Sequence, residues 1–347
     1  MRYSEAIKSG FRLVNSRWQL VAVQAGVMLF NCIAFFIMVG IPLGIAFIIF
    51  GLDLTGLTEM KDFIGIFRNP AELISKYFGL VMIVASSFLF YIFMVTTLGL
   101  YVFSGSIGII GRSILDPSFK FSIRAFFGEA RKYFFPIAWY SLVVGLVFII
   151  IAFVLGLFGG GIAAVVSVAK AQDSTLALFL GIFFSLILIL IGISLILGAL
   201  AVTVYGIAVV FFRGEGAMRS FKGGFKFVWD HQNAFWLYVV LLMGYAIVSF
   251  IVMLIVYPFN LIPIIGTIIS IPFQITSYVI QGYLGLVILA VVFNYYFEME
   301  GRKTLPPEVE ISMETTPGSS SGPEDISPAP TPEQEPTPPK TEGPEQS

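Results

Sequence analysis

Charge is scarce in this chain, and where it is missing it is missing in long runs. Only 12% of the 347 residues are charged, where a soluble domain carries about 25%. There is a single cysteine, Cys32, so no disulfide framework and no zinc cluster can be built. There is a single histidine, His231, which removes most histidine-based catalysis and multi-histidine metal sites. What replaces these residues is apolar bulk: 57% of the chain is hydrophobic and 16% aromatic. No soluble fold could cover that much apolar surface.

The uncharged runs set the architecture. Trp18–Leu52, Tyr77–Gly111, Tyr133–Ala169 and Ser174–Phe212 contain no Asp, Glu, Lys or Arg, and neither does the interval between Asp230 and Glu298. A bilayer core about 30 Å thick needs roughly 20 apolar residues of helix. Each of the four shorter runs supplies one crossing. The longest, broken by Pro258, Asn260 and Pro263, supplies two. The chain reads as an all-α, polytopic integral membrane protein with six transmembrane helices. The runs exceed what a bilayer needs, which implies tilt, kinks or continuation into the headgroups. Pro42 and Pro136 are candidate kink sites. Gly159, Gly160 and Gly161 read as a flexible end to the third helix, and the loop Asp53–Lys76 as carrying a short surface helix.

Basic residues choose a side. Arg2, Lys8, Arg12 and Arg17, then Arg112, Lys120, Arg124, Arg131 and Lys132, then Arg213, Arg219, Lys222 and Lys226, then Arg302 and Lys303 fall on one face. Only Lys61, Arg68, Lys76 and Lys170 fall on the other. Positive charge marks the cytoplasmic face, so both termini are expected to be cytoplasmic, in a bacterial-type inner membrane. The N-terminus reads as an uncleaved start, because its apolar run is too long for a signal peptide and no small-residue cleavage site follows.

A weak threefold repeat runs through the basic segments. Ala6–Val14 aligns without gaps on Ser220–Val228, and Ser122–Phe127 fits the first half of both. Apolar residues recur at Ile7, Phe11 and Val14, at Ile123, Phe127 and Ala130, and at Phe221, Phe225 and Val228. A cation follows the first of each set: Lys8, Arg124 and Lys222. This spacing places the apolar side chains on one helical face. The segments fit helices lying in the headgroup plane, with aromatics inserted and cations toward anionic phosphates. A plainer reading, set second, takes them as helix starts with positive charge and aromatic anchors, Trp18, Trp139, Trp229 and Trp236. On the first reading the fold is three repeats of an interfacial helix plus a transmembrane hairpin. Lys8, Arg12, Arg124, Arg131, Lys132, Lys222 and Lys226 are then the candidate contacts to anionic lipid.

The segments Ala6–Trp18, Ser122–Phe135 and Ala217–Trp236, each ahead of a helical hairpin, carry a resemblance. Over Met1 to about Lys303 the pattern resembles the membrane domain found beside glycerophosphodiester phosphodiesterases, and related bacterial six-helix membrane proteins. The resemblance implies a membrane module. The phosphodiesterase barrel, with its acid-base histidines and metal-binding carboxylates, is missing, so no catalytic residue carries over.

No ionisable residue lies deep in the apolar runs, which speaks against a proton-driven pump or voltage sensor. Uncharged polar residues do occur there. Gln24 and Asn31 stand on the first helix, Gln274, Ser277 and Gln281 on the last, and Thr97 and Ser104 on the second. They read as interhelical hydrogen bonding, or as a pathway for a neutral substrate if they face a common cavity. Ser104-x3-Gly108, Gly156-x3-Gly160 and Ser194-x3-Gly198 read as small-residue packing patterns. Asp230-His231 reads as a polar turn at the surface, and the Gly-x-Gly after Arg213 lacks the context of a nucleotide site.

From residue 304 the chain turns rich in Pro, Glu, Ser and Thr. The expected organisation is a 1–303 membrane domain followed by a 304–347 disordered tail. No enzymatic activity, cofactor, metal or nucleic acid is expected. Membrane lipids are the expected partners, with a protein partner conceivable through the tail. The leading function is an accessory or structural module engaging anionic lipid. The alternatives are a carrier for a neutral or lipid-like substrate, and the membrane anchor of a separately encoded lipid-headgroup phosphodiesterase.

Overall fold

A computed structural model describes residues 3–54, 77–172, 174–260 and 265–300. The expectations for the loop 53–76, apart from its first two residues, and for the tail lie outside the described residues. The described elements are all helices. They are α1 (Tyr3–Ser16), α2 (Gln19–Phe35), a π-helical turn (Phe36–Gly40), α3 (Ile41–Leu54), α4 (Phe78–Leu115) and α5 (Ile123–Gln172), followed by α6 (Ser174–Arg213), α7 (Ala217–Asp230), α8 (Gln232–Asn260) and α9 (Ile265–Met299). Among the described residues six helices are long and apolar enough to cross a membrane: α2 with α3, then α4, α5, α6, α8 and α9. The chain is a multi-pass membrane protein.

The prolines have different outcomes. Pro42 has no N–H to give to the Met38 carbonyl, and its ring crowds that turn. The helix absorbs the mismatch just upstream, as the π turn Phe36–Gly40. Pro136 interrupts nothing, since α5 runs through it for 50 residues. The second basic segment is therefore the first turns of α5 rather than a separate surface helix, unlike α1 and α7. Gly159, Gly160 and Gly161 also lie inside α5, so the expected flexible end is absent. Within hydrocarbon a glycine has no water to release its amide to, and the helix continues.

The spanning helices pair as three hairpins: α2–α3 with α4, α5 with α6, and α8 with α9. The basic segment ahead of each hairpin packs on the second helix of the preceding hairpin, and the pattern closes on itself. The start of α5 lies on α4, α7 lies on α6, and α1 lies on α9. Small residues make this possible. A Cβ on Gly224 of α7 would lie 2.7 Å from the Gly206 nitrogen and 2.8 Å from the Val202 carbonyl oxygen of α6. A Cβ on Gly10 of α1 would lie 3.0 Å from the Val291 nitrogen of α9. At the α4–α5 contact the glycines are on the spanning helix instead. A Cβ on Gly105 would meet the Phe126 ring at 2.7 Å, and one on Gly108 the Glu129 Cβ at 2.5 Å.

The buried core lies at the basic end of the hairpins, where α4, α6 and α9 meet. Val102, Ser104–Gly111 and Ser113, Tyr205–Val210, and Leu289–Phe293 with Tyr295–Phe297 are buried there. The hydroxyls of Ser104 and Ser106 donate to their own helix, to the Leu100 and Val102 carbonyls at 2.7 and 2.9 Å. Phe212 fills the centre, its ring 5.8 Å from Phe293, 5.8 Å from Tyr296 and 5.4 Å from Phe297. Toward the other end the helices carry rows of exposed apolar side chains, among them Phe88, Ile149, Phe183, Leu190 and Ile247. Such surface is stable only in lipid. The helices exceed a single crossing because their basic ends are spent on protein packing.

Candidate functional site

The repeated segments present two faces, one buried and one exposed. On α1 the buried residues are Ala6, Gly10 and Val14, and on α7 Ala217, Ser220, Gly224 and Phe227. On α5 they include Phe126 and Ala130. Of the apolar set that the spacing defines, Val14 and Ala130 are buried. Phe11, Phe127 and Phe225, at equivalent places in the three segments, are 40%, 54% and 54% exposed. These three aromatics are exposed, while small residues, together with Phe126 and Phe227, seat each segment on its neighbour. Trp18, Trp139, Trp229 and Trp236 are exposed as well.

All seven candidate cations, Lys8, Arg12, Arg124, Arg131, Lys132, Lys222 and Lys226, are exposed. Among the described residues none of the seven forms an ion pair. Lys132 lies 4.9 Å from the Tyr133 ring centroid. The cations that are paired belong to the scaffold. Arg112 at the end of α4 holds Glu129 of α5 at 2.9 Å and covers the Phe119 ring at 4.7 Å. Arg213, seven residues past Gly206 as Arg112 is past Gly105, holds Glu300 at 2.6 Å and Glu215 at 3.8 Å. The Arg17 guanidinium donates to the Phe119 carbonyl, tying the end of α1 to the turn between α4 and α5. The Asn294 amide donates to the Ser9 hydroxyl, tying α9 to α1. Sequence reasoning did not separate these scaffold arginines from the exposed set. Their signal was placement at helix C-termini, where a cation also meets the helix dipole.

An apolar cavity of about 620 Å³ opens under α7 between α5, α6 and α8, with Phe225, Trp229 and Trp236 in its wall. A second, of about 570 Å³, lies at the basic end where Lys132, Arg213 and Glu215 converge beside Tyr133 and Trp139. The intramembrane polar residues do not gather in one place. Gln24 and Asn31 line one cavity, Gln274 and Gln281 another, and Tyr278 borders both. The Gln281 amide donates to the Ser277 hydroxyl at 3.4 Å, a bond within α9 and not between helices. The packing reading holds for Gly108 and fails for Gly156, Gly160 and Gly198, whose added Cβ atoms would touch nothing within 4 Å.

His231 ends α7, its ring 4.7 Å from that of Phe227 and its Nδ1 3.3 Å from the Phe227 carbonyl oxygen. Among the described residues no group of three His, Cys, Asp or Glu is placed to hold a metal ion. Fold and surface define a class: a six-helix membrane protein built as three repeats around a ring, with a basic and aromatic collar. No protein-family model, curated protein or solved structure matches the chain.

Proposed function

We propose that the protein is a non-enzymatic module of a bacterial inner membrane, with both termini cytoplasmic, which gathers anionic lipid around its basic collar. The observation carrying this reading is the repeated surface: Lys8, Arg124 and Lys222 at equivalent positions, exposed, each three residues before an exposed phenylalanine. Cations at that height meet lipid phosphates, while the phenylalanine beside them enters the acyl boundary. Each cation contributes about 1 kcal/mol of attraction to an anionic leaflet, reduced by salt. The scaffold carries its own ion pairs through Arg112 and Arg213, so the collar cations are not required to hold the fold.

The test replaces Lys8, Arg124 and Lys222 by Gln together and measures phosphatidylglycerol retained after mild detergent extraction. Retention is expected to weaken by up to about a hundredfold at low salt, with insertion unchanged. Unchanged retention would overturn the reading and leave the segments as helix starts.

A further inference from the structure

The two polar cavities beside Tyr278 make a demand that the collar does not meet. The smaller, about 400 Å³, is lined by Gln24, Met28, Asn31 and Phe35 from one face of α2 and by Tyr91 of α4. The larger, about 610 Å³, is lined by Ser249, Phe250 and Met253 of α8 and by Gln274, Ser277 and Gln281 of α9. Each holds a buried polar atom without a hydrogen-bond partner, the Asn31 Oδ1 and the Ser249 Oγ. In hydrocarbon such an atom costs several kcal/mol unless something supplies a partner. The π turn begins at Phe36, directly after cavity residue Phe35. A π turn widens a helix at the cost of one regular bond, and such turns concentrate at binding sites.

The lining selects the ligand. No Asp, Glu, Lys, Arg or His lines either cavity, so a phosphate or ammonium would be buried without a countercharge, which is prohibitive. Amides and hydroxyls pair instead with neutral hydroxyl or amide groups. Most of each wall is apolar, and exposed Phe250, Met253 and Phe35 open onto the lipid-facing surface. From the basic end the centre is filled by Phe212, Phe293 and Tyr296. An occupant therefore enters sideways from the bilayer.

We infer that these cavities form one membrane-embedded binding site, divided by Tyr278, for a neutral lipid with a hydroxyl-bearing headgroup of the diacylglycerol class. The headgroup would donate to the Asn31 carbonyl oxygen and reach past Tyr278 to Ser249, with the acyl chains against Phe35, Phe250 and Met253. This does not depend on the collar's attraction for anionic lipid.

The chain contains its own reporter. Cys32 is the only cysteine and lines the smaller cavity. The thiolate, which forms where water reaches the sulfur, adds to the maleimide double bond, so a seated lipid should shield it. The full chain in phosphatidylcholine nanodiscs would be alkylated with and without dioleoylglycerol. At a dioleoylglycerol level roughly ten times its dissociation constant, alkylation is expected to slow about tenfold. The same level of phosphatidylglycerol should leave the rate unchanged. Tyr278→Phe, which removes one hydroxyl, and Asn31→Leu should each weaken the protection, with the helical content of both variants checked by circular dichroism. Absence of protection would overturn the proposal, as would equal protection by phosphatidylglycerol. Protection by free glycerol alone would also overturn it, assigning the site to a soluble polyol.

Discussion

Asp116 turns the chain between α4 and α5. Its carboxylate accepts from the Ser118 hydroxyl at 2.6 Å and from the Ser118 amide at 2.9 Å. The Ser118 hydroxyl bond, helped by neighbouring backbone amides and the Arg112 charge, holds the carboxyl below its ordinary 3.8 despite slight desolvation. A group with a lowered folded value stabilises above its unfolded value and loses that contribution as pH falls through the folded one. Hydrogen exchange at the Ser118 amide should therefore be pH-independent in its protection above 3.8, and protection should be lost below it. Asp116→Asn should abolish that acid transition. A transition that survives in this variant would assign the turn to another group.

Glycines separate at the level of the helix into those that are packed and those that are not. Gly224 has the backbone of α6 against it, and backbone cannot step aside, so Gly224→Ala should lift α7 from its seat at a cost of about 1–3 kcal/mol or more. Gly128 in α5 has nothing within 4 Å, so Gly128→Ala should stabilise by up to about 1 kcal/mol through helix propensity. Thermal unfolding of the two variants in one detergent checks both signs. Opposite shifts are expected, and a neutral Gly224→Ala would remove close backbone contact as the basis of the ring. This contrast also explains what the sequence conveyed. Uncharged run length is enough to read spanning helices, because hydrocarbon permits few alternatives. The spacing marks Ile7, Phe11 and Val14 as an apolar face but does not mark Ala6 and Gly10 as residues that seat α1. In a soluble helix the large apolar residues are inside, whereas here lipid takes Phe11 and protein takes Gly10.

At the scale of the molecule, the alignment of Ala6–Val14 with Ser220–Val228 indicated like segments but not which hairpin each would rest on. Ring closure depends on contacts such as Gly10 with Val291, and no local pattern encodes a partner so distant in the chain. The Tyr278 cavities were hidden for the same reason: Gln24 and Gln281 were visible as polar residues, while their separation by a tyrosine belongs to the packing. Orientation remains legible from charge alone. Reporters fused after Arg17 and after Lys303 should both be cytoplasmic, and one near Asp62 periplasmic, because the basic segments resist translocation. Labelling of the Asp62 site from the cytoplasm only would reverse the assignment.

Closure of the ring through α1 and α9 also orders events during synthesis. The Ser9–Asn294 bond joins residues 285 apart, so α1 receives its seat only when α9 is made. At about 5–20 residues per second that interval is roughly 15–60 s. Throughout it Ala6, Gly10 and Val14 face whatever the translocon and the leaflet offer. The nascent chain is an open arc with two unmatched ends, and a neighbouring nascent copy offers the same pair of ends. Assembly of a single closed ring is then a race between the chain's own last hairpin and its neighbour's.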